Sequence, residues 1–454
     1  MCIATTWILL ELLKKFAPAR VLFGGKVCLA ITGAVLLASE SLLTLGVFVW
    51  VVLSGWFAVL IASWDGKFYR AIFVLLLGAQ LVPLFYYKYW GFFFNDVLGL
   101  EVRVPSVLIP MGLSFYTFQT VAFCVDTRKG SLRVPAFIDF LNFSSFHAQI
   151  VAGPIERRDH LLPQISAFEY RIRLPAVEAA VSWIVLGLFY KMVLADNLGA
   201  LMPRLRINEA NAWQVWFECF AFGFRIYFDF AGYSFIAIGL GLLFGVNLTL
   251  NFRSPYWSVN LKQFWRRWHI TLSSWLRDYV YLPLGGRRGG YWQMNVLIVF
   301  LVSGIWHGAG WGFLIWGAVH GLGVVFCSRA RSFELPAWLS WLVTFVCVTA
   351  AWLFFLERDP DLLLKKSFAL VLPGAYSLDR LAAFPMAFPS PAELVTFAMV
   401  LGLGALSLAF EGMEIRRGIE PYRWLRCFPS LVTMVILIVM LSPMEDSSFI
   451  YFNF

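Results

Sequence analysis

The stretch "SGIWHGAGWGFLIWGAVHG", residues 303–321, contains no Asp, Glu, Lys or Arg, yet carries two histidines, His307 and His320. With its flanks, 294–328, it reads as two hydrophobic segments meeting at "WHGAGWG". A membrane span requires about 20 mostly apolar residues, and such runs decide the fold class here. The rest of the chain agrees. Hydrophobic residues make up 60% of the 454 and charged residues only 14%, with a mean hydropathy of +0.74. That balance would leave a soluble domain covered in apolar patches. The 20 Trp and 16 Tyr suit the membrane–water interface. The expected fold is all-α and polytopic, because a helix satisfies its backbone polar groups within one segment.

Spans are expected near 21–38, 42–63, 69–90, 105–125, 177–195, 213–231, 233–248, 294–309, 311–328, 337–356, 392–411 and 428–442. The polar-dotted stretch 136–155 reads as re-entrant or interfacial. Two regions are too polar to span: 249–293, and 357–391, a loop with Pro360, Pro373, Pro385 and Pro389 expected outside the bilayer. Lys and Arg cluster over 253–288 with Asp278 the lone acid there, which places that region on the cytoplasmic face.

The same tendency accounts for a net charge of +9 without a nucleic-acid partner. Seven scattered cysteines without a CxxC argue against a disulfide framework or a zinc site. The N-terminus lacks the order of a cleaved signal peptide and reads as mature protein.

Within 259–279, Leu261, Phe264, Trp265, Trp268, Leu272, Trp275, Leu276 and Tyr279 form one apolar stripe at helical spacing. Lys262, Arg266, His269, Ser273 and Arg277 fall on a second. The spacing predicts an interfacial amphipathic helix with cations toward lipid headgroups or an anionic ligand. Its polar stripe and "GGRRGG" (285–290) are candidate contacts for a phosphate-bearing donor: Lys262, Arg266, Arg277, Arg287 and Arg288. Among those cations, His269 is expected to resist protonation.

Gly304, Gly308 and Gly312 recur every four residues, so a continuous helix would show a bare glycine face. Close helix packing explains such a face; a narrow groove beside His307 is the other reading. An ionisable residue within a span is a functional-site hypothesis, and a desolvated imidazole stays neutral and able to act as a base. His320, about 220° further round an unbroken helix, shares no face with His307 unless the glycines turn the chain. It is equally suited to hydrogen-bonding a carbonyl. No oxyanion-stabilising group stands out; Trp306 and Asn295 are candidates. Asp229 suits a structural ion pair with Arg225, one turn earlier, better than a relay role. Neither a metal site nor a G-x-S-x-G nucleophile is indicated.

"FWRRWHITLSSWLRDYVYLPLGG" followed by "LVSGIWHGAGWGFLIWGAVHG" resembles the membrane-bound O-acyltransferase (MBOAT) family, nearest its bacterial alginate O-acetylation branch. "IPMGLSFYTFQTVAFCVDTRKG" (109–130), "QIVAGPIERRDHLLPQ" (149–164), "KMVLADNLG" (191–199), "FRIYFDFAGYSFIAIGLGLLFG" (224–245) and the terminal "SSFIYFNF" agree in order. Residues 1–65 depart most from the pattern.

The resemblance implies about 10–12 spanning or re-entrant helices in a ring around a central tunnel. It divides the chain into divergent N-terminal spans (1–100), a catalytic core (101–330) and C-terminal spans (331–454). It carries the family's catalytic histidine onto His307 through "WHG", and its second histidine onto His269 through "RWH". It further implies transfer of an acyl group from a cytoplasmic thioester, with acetyl-CoA as the expected donor and no bound cofactor, toward an exported polysaccharide. The expected partners are a separately encoded extracytoplasmic SGNH-type acyltransferase, the polysaccharide-export machinery and membrane lipid, and the expected location is the bacterial inner membrane. D-alanyl transfer toward teichoic acid ranks second. A transporter would call for paired mid-membrane carboxylates and repeated halves, and a scaffold of an export complex would leave His307 dispensable.

Overall fold

The computed structural model describes residues 8, 10–12, 14–15, 21–104, 109–130, 132–168, 174–205, 211–288, 290–329, 335–376, 379, 381, 390–443 and 449–450. Gly289, Pro385, Pro389 and most of the terminal "SSFIYFNF" lie outside them.

Among the described residues the regular structure is helical throughout. Eight helices are long and apolar enough to cross a membrane, beginning with α1 (Val21–Glu40), α2 (Leu42–Ile61) and α3 (Lys67–Leu84). Their outward positions are large and apolar, such as Leu42 at 80% exposure and Leu75 at 71%. Only a lipid solvent tolerates such faces. Local chemistry sets the helix starts: Ser41 caps α2 by accepting the Thr44 N–H at 3.0 Å.

Contacts divide the chain into two units, residues 1–181 with 237–249, and residues 182–236 with 250–454. The first holds α1–α3, α4 (Leu113–Lys129), α5 (Phe137–Ser145) and α6 (Arg158–Ser166). The stretch expected to be re-entrant is the short α5 followed by buried irregular chain over 146–156. It is pinned by Lys26–Asp139 at 2.7 Å and by the Gln119 amide donating to the Phe143 carbonyl at 2.7 Å.

The second unit takes up most of the remaining helices. After α7 (Leu174–Leu188) and α8 (Asp196–Leu205), the two spans expected over 213–248 are one 32-residue helix, α9 (Ala212–Leu243). The small residues between them, Ala231 and Gly232, continue the helix instead of breaking it. Then come α10 (Leu261–Trp265), α11 (Ile270–Leu276), α12 (Trp292–His307), α13 (Trp311–Arg329) and α14 (Ala337–Leu356).

The expected extramembrane loop 357–391 contains a helix, α15 (Pro360–Val371), started by Pro360 and capped by the Asp359 carboxylate. Its Lys366, 2% exposed, pairs with Glu218 at 2.7 Å and Glu357 at 2.9 Å. The charge of Lys366 is therefore buried and paired with two carboxylates. Helices α16 (Pro391–Arg416) and α17 (Phe428–Leu441) complete the unit.

Candidate active site

Helix α12 ends on His307. Gly308 is extended, the chain turns over 308–310, and α13 runs back from Trp311. The hairpin is close because glycines face backbone: a Cβ on Gly304 would lie 2.2 Å from the Phe313 carbonyl oxygen, and one on Gly317 2.3 Å from that of Phe300. Gly304 and Gly308 therefore pack on Phe313 of α13, which closes the alternative of a groove there, while Gly312 lies on α13 itself and faces the Phe354 carbonyl of α14. His307 is 2% exposed, with ring centroids 4.9 Å from Trp306, 5.1 Å from Trp316 and 5.3 Å from Phe355.

The helix expected over 259–279 is interrupted. Residues 266–269 form turns, and His269 takes a left-handed backbone, φ 43°, before α11 begins. Tertiary hydrogen bonds hold the break. Asn251 is responsible for most of them: its carbonyl accepts the Ile270 N–H at 2.9 Å, and its Oδ1 accepts the Thr271 hydroxyl at 2.7 Å. The Arg253 N–H donates to the Arg267 carbonyl at 3.0 Å. The consequence is a change of face.

Trp268 and His269 are fully buried, where an unbroken helix would put His269 on the cationic stripe. Burial pushes the His269 imidazole down to about 3. Desolvation, and not the neighbouring cations, is what disfavours its charged form. His269 and His307 come together: their ring centroids are 6.3 Å apart, with Trp306 5.5 Å from His269.

On the other side of this segment lies a cavity of about 500 Å³. Lys262, Arg266, Arg277, Ser273 and Ser274 supply its polar wall, and Trp265, Ile270, Val296, Val299 and Phe300 much of its apolar one. Ser303, also in the lining, is one helical turn before His307. Three of the five candidate donor contacts therefore converge. Arg287 and Arg288 are exposed and outside the lining, with Arg287 stacked over Trp292 at 5.5 Å. Arg277 is also held by Asp278 at 2.7 Å.

The supporting candidates separate. Trp306 stands beside both imidazoles. Asn295 does not: its amide nitrogen donates to the carbonyls of Leu284 at 3.1 Å and Gly286 at 3.0 Å, closing the glycine turn. His320 reaches the site through Trp316, whose ring is 4.8 Å from His320 and 5.1 Å from His307. The Trp265 indole N–H donates to His320 Nδ1 at 3.2 Å, which requires that nitrogen to be unprotonated. The partner at Nδ1 is an indole rather than a carbonyl.

Asp229 makes an ion pair, with a partner other than the Arg225 expected. Lys191 pairs with it at 2.9 Å and the Ile450 N–H donates to it at 2.7 Å.

Sequence reasoning missed Trp316, Asn251 and the ridge Tyr227–Phe230–Ser234 on α9. Phe230 lies edge-on to His269 at 4.6 Å, and Ser234 Oγ accepts from the Asn251 amide at 3.3 Å. The ridge has i, i+3, i+7 spacing inside "FRIYFDFAGYSF", a signal available without the structure.

The model of the membrane-bound O-acyltransferase family, MBOAT, matches residues 37–355. The chain is 30% identical over 442 residues to a peptidoglycan O-acetyltransferase of Helicobacter pylori, covering 85% of this chain and 83% of that protein. It is 34% identical over 326 residues to a probable alginate O-acetylase of Azotobacter vinelandii, covering 68% and 64%. A teichoic acid D-alanyltransferase of Streptococcus thermophilus is 33% identical over 236 residues, covering 48% and 57%. With both histidine motifs inside the matched span, and a polytopic helical fold around them, the chain belongs to the membrane-bound O-acyltransferase family and is an O-acyltransferase.

Proposed function

We propose that this enzyme takes an acetyl group from a cytoplasmic thioester, acetyl-CoA in the first place, and passes it across the bacterial inner membrane for O-acetylation of an exported glycan. The observation that carries this reading is the buried His269–His307 pair, 6.3 Å between centroids, with a cavity whose lining includes Lys262, Arg266, Arg277 and Ser303, the last one turn before His307. Phosphates of the donor suit Lys262, Arg266 and Arg277, and the apolar wall suits a pantetheine-like arm.

In the reaction, the acceptor hydroxyl attacks the thioester carbonyl as His307 takes its proton. The new C–O bond forms, the C–S bond breaks, and the thiolate leaves and recovers the proton from His307. His269 is placed to orient the partner imidazole or the carbonyl beside it. Transfer onward calls for an extracytoplasmic acyltransferase of the SGNH type beside the export machinery. Peptidoglycan and alginate are the glycans in the names of its relatives. D-alanyl transfer ranks below acetyl transfer because the relatives so named match 48% of this chain at 33% identity and 66% at 26%, against 85% at 30% and 68% at 34% for the peptidoglycan and alginate acetylases.

The test is His307→Ala in the producing cell, with membrane insertion checked by fractionation. Alkali-labile acetate is then measured separately in peptidoglycan and in exported polysaccharide. Loss of acetate from one fraction supports the reading and names the polymer; wild-type acetate in both sinks it.

A further inference from the structure

Three non-glycine residues in the described chain have left-handed backbones: Ser254 (φ 50°), His269 (φ 43°) and Tyr422 (φ 64°). Such a backbone is strained for a residue with a Cβ and persists only where its surroundings over-determine it. These three are joined. The Ser254 N–H donates to Tyr422 Oη at 3.0 Å. Immediately before Ser254, residues 251–253 make the bonds to Arg267 and Ile270 that bracket His269.

At the other end, Tyr422 is tied to α16. Its N–H donates to Glu414 at 2.6 Å, and its hydroxyl lies 3.2 Å from that of Tyr227. Tyr227 Oη and Tyr190 Oη both donate to Glu411 Oε1 at 2.8 Å. Glu411, Tyr227, Tyr422, Ser254 and His269 are all fully buried.

We infer that Tyr422 and Glu411 are positioning residues for His269, although both lie beyond the residues the family model covers. Packing alone does not call for a carboxylate here, since apolar residues hold helices together without its desolvation cost. Glu411 supplies fixed oxygens. They orient Tyr227, which orients Tyr422, whose hydroxyl fixes the segment that holds the His269 turn. Tyr227 also packs on Trp268 at 6.0 Å, next to His269.

This inference rests on the proposed reading that His269 belongs to the reaction centre, and the experiment separates the two. Tyr422→Phe keeps the ring packed on Phe235, 4.7 Å away, and removes only the hydroxyl. The full-length protein in detergent, labelled with [13Cε1]histidine, shows five histidine signals, and His269→Gln assigns one of them. Expected for Tyr422→Phe is a displaced His269 signal and a kcat for acetyl transfer lowered about tenfold, as for loss of one buried hydrogen bond. KM for acetyl-CoA stays within about twofold.

Glu411→Gln keeps one acceptor oxygen and falls between wild type and Tyr422→Phe. Lys366→Met, which breaks the buried Lys366–Glu218–Glu357 cluster, is the comparison for general loss of stability: a lower thermal midpoint with the His269 signal in place. A His269 signal unmoved in Tyr422→Phe overturns the inference, whether activity is kept or falls in step with folded protein. Should His269→Gln itself transfer acetate normally, the reading of the centre fails. The signal in Tyr422→Phe then decides the positioning claim alone: displaced upholds it, unmoved overturns it.

Discussion

The hairpin α12–α13 and the segment 249–281 each deliver one imidazole, by opposite physical means. His307 is held by packing: glycines bring two backbones together and four aromatic or imidazole rings close around a helix end. His269 is held by hydrogen bonding: a residue in an unfavourable backbone region is fixed by an extended segment lying beside it. Packing tolerates no added volume but carries no polar cost. A hydrogen-bonded turn tolerates volume nearby and fails when a single polar atom is removed. The proposed centre therefore pairs a histidine held by close packing with one held through a network of hydrogen bonds.

The comparison breaks most severely at Gly304. Gly304→Val places side-chain atoms against the Phe313 carbonyl, and the protein is expected to disappear from the membrane fraction by immunoblot, a cost of about 3 kcal/mol or more. Asn251→Ala spares the hairpin and strips the side-chain contacts from the other support. Here the protein is expected to insert while transfer falls about tenfold to a hundredfold, the loss from leaving Thr271 and Ser234 without their partner. Equal insertion and activity in both variants would erase the distinction.

Weaker effects sharpen it. Lys262→Gln with Arg266→Gln should raise KM for acetyl-CoA about three- to tenfold, less at high salt, with little change in kcat, because a half-buried and an exposed charge act through a screened field. A fall in kcat alone would remove the cavity from the donor's path.

The smallest effect belongs to a third imidazole, outside both supports. His160 Nδ1 lies 2.7 Å from Glu156, and that bond raises it above its ordinary value of 6.5. Its stabilising contribution is fully present below 6.5 and is lost as pH rises through the raised value. The thermal midpoint should decline over that window in wild type and less so in His160→Gln, with transfer per folded molecule the same in both.

The hairpin was legible in the sequence because its determinants are local: two apolar runs, small residues every four positions, and a histidine among them. The segment 249–281 was not, because its apolar period continues through a break imposed from outside. Asn251 and Arg253 precede the helix they interrupt, and no periodicity reports a bond between residues 251 and 270. The basic residues were legible as a group and only partly as a site. Lys262, Arg266 and Arg277 share a cavity while Arg287 and Arg288 follow the glycine turn outward. The buried charges of Lys366 and Glu411 were hidden for the opposite reasons. One sits in a stretch polar enough to pass for a loop, the other in a span apolar enough to conceal a carboxylate.

The central claim is that His307 and His269 work as one centre. The most direct measurement is a double-substitution cycle: acetyl transfer by His307→Gln, His269→Gln and the double variant, each normalised to inserted protein. If the two act together, each single change costs about a hundredfold or more and the double costs little beyond the larger single loss. If the two losses multiply, or either single variant transfers acetate at the wild-type rate, the imidazoles act separately and the account is wrong.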